Sequence, residues 1–85
     1  LMPYRSLSGT VTTSASADVS VSFGTGNGFY VDPSVGIIFN AQASGDFYKI
    51  ENLSSTGFDV SVYASNGTTR RAQTVRWNAV GHGRG

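Results

Sequence analysis

Hydrophobic and polar residues alternate along this chain in short runs, and the runs predict strands. The alternation is clearest from Asp18 to Phe23, where Val19, Val21 and Phe23 fall on one face and Asp18, Ser20 and Ser22 on the other. A period of two reads as a half-buried antiparallel strand. Gly9 to Thr13 is expected to be a first strand, closed by a turn at Ser14-Ala15-Ser16. Ser34 to Asn40 is the most apolar stretch, with Val35, Ile37 and Phe39 opposed to Gly36, Ile38 and Asn40. Both of its faces are apolar near Ile38, so this strand is expected either to be central or to meet another subunit. Phe47 to Asn52 places Tyr48 and Ile50 on one face and Phe47 and Lys49 on the other. Phe58, Val60 and Val62 alternate with Asp59, Ser61 and Tyr63 in the next run. A returning strand is expected from about Arg71 to Val80, with Val75, Trp77 and Ala79 facing the core and Arg76 and Asn78 facing away.

Connections between these runs carry turn chemistry. Gly24-Thr25-Gly26-Asn27-Gly28 is a loop, because so many glycines inside an element waste conformational entropy. It is not a dinucleotide-binding fingerprint, which needs a helix after its glycines; Phe29-Tyr30-Val31-Asp32-Pro33 follows here, and the proline disfavours one. Ala41 to Asp46 is a loop and Leu53 to Gly57 a turn. Asn66-Gly67 suits a type I′ hairpin, since both residues tolerate positive φ. About six short strands at regular spacing predict an all-β antiparallel sandwich. Residues 1–8 read as a lead-in from a preceding region, 9–81 as the sandwich domain and 82–85 as a flexible tail. There is no internal repeat.

Composition supports this class. Serine, threonine, glycine, valine and aromatic residues dominate, and strong helix formers are too few to sustain an amphipathic helix. With 85 residues the domain is small. Folds of this size bury only about 60% of their unfolded surface and usually add disulfides, a metal or an oligomer interface. The chain has no cysteine, and its one histidine, His82, does not make a metal site alone. Oligomerisation is therefore the expected remedy.

The net charge is +1, and the basic residues Arg5, Lys49, Arg70, Arg71, Arg76 and Arg84 are scattered, which argues against nucleic acid as a partner. No apolar run approaches the roughly 18 residues of a membrane-spanning helix, so no membrane insertion is expected. Leu1-Met2-Pro3-Tyr4-Arg5 lacks the apolar stretch of a secretory leader. A chain that starts this way is expected to be one piece of a longer protein.

Catalytic constellations are missing. A nucleophilic site needs a base and a group to orient it, and His82 lies in a glycine-rich terminus. The carboxylates Asp18, Asp32, Asp46, Glu51 and Asp59 follow no glycosidase or calcium-loop pattern and read as loop or solvent-face residues. No enzyme activity, cofactor or metal is expected. Asn52-Leu53-Ser54 and Asn66-Gly67-Thr68 match the glycosylation sequon and read as turns. Trp77 follows the core pattern of its strand. Tyr63 sits on the polar face of its strand, and Phe29 and Tyr30 lie in or beside the glycine loop. Such aromatics stack on sugars or pack between subunits, and both roles stay open for them.

The order of these features is familiar. Val21-Ser22-Phe23 precedes a loop and Pro33-Ser34-Val35. Tyr48-Lys49-Ile50, Asn52, Ser55-Thr56-Gly57-Phe58 and the Val60/Val62 alternation come next, and Trp77-Asn78-Ala79-Val80-Gly81 closes the set. From about Gly9 to Gly81 this resembles the C-terminal domains of bacteriophage tail and head fibres, many of which share the H-type lectin fold. The resemblance implies a six-stranded antiparallel sandwich that forms a homotrimer, stands on the exterior of a virion beside other virion proteins, and attaches to a host cell-surface glycan. It equally admits a trimerisation cap or decoration without receptor binding.

The sequence departs from the lectin pattern at the sugar site. Animal H-type lectins carry an arginine after the Pro-x-Val strand, where Asn40 stands. They also carry histidine and tryptophan near the end of the Thr-Gly-Phe strand, where this chain has Tyr63-Ala64-Ser65-Asn66. The candidate carbohydrate-binding residues are accordingly taken from the predicted loops and their flanks: Tyr30, Asn40, Asp46, Tyr63, Asn66 and Arg70. Ile38, Phe47 and Tyr48 are the candidate trimer interface.

Overall fold

The alternating runs become strands in the computed structural model, which describes residues 4–24, 28–39 and 45–83. In chain order the strands are β1 (Tyr4–Thr12), β2 (Val19–Ser22), β3 (Ser34–Phe39), β4 (Phe47–Glu51), β5 (Gly57–Tyr63), β6 (Arg70–Arg71) and β7 (Thr74–His82). All pairings are antiparallel and there is no helix among the described residues. They form two sheets: β1-β7-β3, and β2-β5-β4 with β6 also paired to β5.

Register puts the apolar halves of the strands between the sheets. In the first sheet Leu7, Val35 and Ala79 share one row, and Gly9, Ile37 and Trp77 the next. In the second, Val19, Ile50 and Val60 share a row. The core cluster is Phe23, Phe29, Phe58, Val60, Trp77 and Ala79, with Leu7, Val11, Val21, Val35, Ile37, Ile50 and Leu53 packed around it. Phe23 is its hub, with ring centroids 5.2 Å from Phe29, 5.9 Å from Phe58 and 5.7 Å from Trp77. Edge-to-face and tilted pairs of this kind add to the hydrophobic gain from burying each ring.

Several details depart from the sequence reading. Phe29 is not a loop aromatic: it is fully buried, and its N–H donates to the Ser55 carbonyl at 2.9 Å. β1 starts at Tyr4, inside the expected lead-in, because Leu7 and Val11 meet the core even though serine and threonine fill the residues between. The expected tail is partly strand, with His82 opposite Tyr4 and Gly83 bridged to Phe29. The Asn66-Gly67 turn is wider than type I′. Only Gly67 takes positive φ, at 77°, and the Ala64 N–H reaches the Thr69 carbonyl at 2.8 Å.

The returning strand divides in two, which gives seven strands among the described residues where about six were expected. The break falls at Ala72-Gln73, where the chain crosses from the second sheet to the first. Thr13 pins the crossing. It is 2% exposed, its hydroxyl donates to the Arg71 carbonyl at 2.7 Å, and Thr13 Oγ1 itself accepts the Gln73 N–H at 3.0 Å. The Thr13 N–H in turn donates to the Gln73 carbonyl at 2.9 Å.

Candidate functional site

Because Val62 is buried in the core, Tyr63 must stand on the outer face of the second sheet. Phe47 on β4 is its partner on one side and Arg70 on β6 its partner on the other. The three form one row across the sheet. The rings of Phe47 and Tyr63 are stacked, 5.8 Å apart at 26°. The Arg70 guanidinium lies 5.3 Å from the Tyr63 ring centroid, a cation–π distance. Its terminal nitrogen donates to Asp18 Oδ1 at 2.6 Å, so the cation is fixed over the ring.

One step further along β5 is Ser61, opposite Lys49. It is 1% exposed, and its hydroxyl has no hydrogen-bond partner among the described residues; the same holds for Arg70 Nε. Buried polar groups are normally satisfied, and an unmet one costs about 1–3 kcal/mol. Lys49 is 3.0 Å from Glu51 on the same strand. Further along, Asp59 accepts from Ser20 Oγ and Asn52 Nδ2, each at 2.7 Å.

Beside Arg70 a cleft of about 450 Å³ opens, lined by Asp46, Thr69, Arg70, Arg71 and Gln73 among others. Asp46 is 3% exposed, and Arg71 Nε lies 3.1 Å from its Oδ1. Arg70 and Arg71 are adjacent, so the strand period sends them to opposite faces. Arg70 covers the outer row, and Arg71 lies over Asp46 at the end of the sheets.

Asp46, Tyr63 and Arg70 are thus brought together from the six sequence candidates. Tyr30 is at the far end of the molecule, 56% exposed, with its N–H on the His82 carbonyl at 3.0 Å. The Asn66 side chain is occupied by its own turn: Oδ1 accepts the Thr68 and Thr69 N–H groups, and Nδ2 donates to Thr69 Oγ1. Asn40 lies outside the described residues. The three interface candidates do not share a surface. Ile38 is on the outer face of the first sheet opposite Arg76, and Phe47 is in the aromatic row. Tyr48 is on the other face of β4 from Phe47, 6.3 Å from the Phe39 ring.

Sequence reasoning missed Asp18, Ser61 and Arg71 as members of this region. The first two were legible as polar positions of alternating runs, but what they meet depends on which strands pair.

The Asp59 carboxyl is held below its ordinary value of 3.8, first by the hydrogen bond from Asn52 and then by that from Ser20. A carboxyl lowered on folding contributes stability that is complete above its unfolded value and is lost as pH falls through its folded value. An NMR titration of the Asp59 carboxyl carbon is expected to give a midpoint under 3.8, moving up when Asn52 is changed to Gly. A midpoint at or above 3.8 in the unmodified chain would show that the two hydrogen bonds do not persist in solution.

No group of three or more histidine, cysteine, aspartate or glutamate side chains able to hold a metal ion occurs among the described residues. Compared with known proteins, the chain matches no protein family, no curated protein and no solved structure.

Proposed function

We propose that this domain is a non-catalytic carbohydrate-binding module whose contact surface is the outer face of the second sheet around Phe47, Tyr63 and Arg70. The observation that carries the reading is that row: two stacked rings and a fixed guanidinium on an exposed sheet face, beside buried polar atoms without partners. An aromatic face offers apolar area to a sugar ring, and a small number of placed donors and acceptors orients its hydroxyls. Such sites are weak singly, and presenting several at once raises avidity.

That need agrees with the sequence resemblance to phage fibre tips, and on it we base the wider proposal. The domain assembles as a homotrimer at the end of a virion fibre, next to other virion proteins, and attaches to host cell-surface glycan. It works without nucleic acid, membrane insertion or cofactor.

The test is a glycan array and calorimetry on the purified chain, with Tyr63→Ala as the comparison and light scattering as a second readout. Expected are a glycan hit that Tyr63→Ala weakens at least about 10-fold, or about 1.4 kcal/mol, at unchanged melting temperature, and the mass of a trimer. An array without hits for folded protein defeats the sugar reading. A monomer at every concentration defeats the fibre assembly.

A further inference from the structure

We infer that the outer face of the second sheet carries, beside the aromatic row, a second subsite at Asp59 and Asn52, and that its ligand is a linear, uncharged oligosaccharide. The inference rests on the carbohydrate reading above and adds chain length and charge to it.

A second cleft, of about 350 Å³, lies on the same face, lined by Ser20, Ser22, Asn52, Ser54, Thr56 and Asp59 among others. It is rich in hydroxyl groups around one carboxylate. Asp59 uses one hydrogen bond on each oxygen, from Ser20 and from Asn52. An ionised carboxylate offers about four acceptor sites, so capacity remains for hydroxyl donors of a ligand. Asn52 is fixed for this role. Its φ of 53° is the one positive value at a non-glycine position among the described residues, and asparagine tolerates it better than most.

Tyr63 and Asp59 are on one strand and one face. Four residues of strand separate them by about 13 Å, roughly the length of three linked sugar rings and too far for one. Stacking at one end and a carboxylate cleft at the other are two contact points on one face along β5.

The charges on this face set the ligand's sign. Arg70 is neutralised by Asp18 and Lys49 by Glu51. Among the described residues, the donors to Asp59 are uncharged. Both cations are thus matched and one carboxylate is left over, so a polyanionic glycan is repelled and a neutral chain is not.

Calorimetric titration with three ladders of one to six units tests this: malto-oligosaccharides, chito-oligosaccharides and oligogalacturonides. For one neutral ladder the affinity is expected to rise at least 10-fold from the monosaccharide to the tetrasaccharide and then level off, with the oligogalacturonides weaker at every length. Asp59→Asn should bring the tetrasaccharide down to the monosaccharide level, and Asn52→Gly, which keeps the backbone conformation, should do the same. Affinity that is flat with length, indifference to both changes in folded protein, or preference for the oligogalacturonides overturns the inference while leaving single-site sugar binding intact. No binding by any member of any ladder overturns both.

Discussion

Trp77→Ala is expected to remove most of the stability of this domain, about 3–5 kcal/mol, the range for truncating a large aromatic in a core. Trp77 is 7% exposed at the centre of β7, the middle strand of its sheet. Its ring is 5.7 Å from Phe23 and 5.8 Å from Phe58. It is therefore the first sheet's contribution to an aromatic cluster that the second sheet and the β2–β3 connection otherwise supply. Gly9 makes room for it across the ladder: a Cβ there would lie 2.9 Å from the indole Nε1. A chain of 85 residues has a total stability of roughly 4–13 kcal/mol at the usual 0.05–0.15 kcal/mol per residue, so the loss takes much or all of it. Urea unfolding followed by circular dichroism reads the change. A destabilisation below about 1 kcal/mol would mean that Trp77 is not a core residue in solution.

Gly57→Ala is expected to cost about 1–3 kcal/mol, a large effect for one methyl group. A Cβ at this position would strike the Val21 carbonyl oxygen and come within 3.3 Å of Ser22 Cα, both of them backbone in β2. No rotamer change relieves a clash with backbone. Gly57 is held on its other sides as well: it pairs with Ser22, and its carbonyl accepts the Ser54 N–H at 2.9 Å. Its backbone lies outside the positive-φ region, so alanine should even gain about 0.4–1 kcal/mol by restricting the unfolded chain. The steric term must exceed that gain, and the net sign is the measurement. The Phe23 amide, bonded to the Thr56 carbonyl at 2.9 Å, should lose hydrogen-exchange protection in the variant. A variant as stable as the parent would show that β2 can move away from β5 at no cost.

Much of the fold was legible because one period governs it. Val19/Val21, Val35/Ile37/Phe39, Phe58/Val60/Val62 and Val75/Trp77/Ala79 alternate plainly, and each set faces the core. β1 was only half legible, since serine and threonine hide Leu7 and Val11 and the strand is recognisable only once β7 is beside it. The split between β6 and β7 was not legible. It is made by a hydroxyl on Thr13, some sixty residues away in sequence.

The candidate site followed the same division. Tyr63, Arg70 and Asp46 could be picked out as polar or aromatic residues near turns. Whether Phe47 belonged with Tyr63 or with Tyr48 depended on strand pairing, which alternation alone does not specify. Tyr30 shared their chemistry and was carried to the other end by the β2–β3 connection.

Among the described residues, both other strands of the first sheet pair with β7, which follows them both in the chain. The ladder joins residues as remote as Tyr4 and His82. During synthesis the second sheet can therefore close early, since β2, β4 and β5 all precede β6. β1 and β3 must wait as unpaired edges until the ribosome delivers the strand between them. Long-range pairing of this kind makes folding slow, and the waiting edges are where newly made chains would pair with each other.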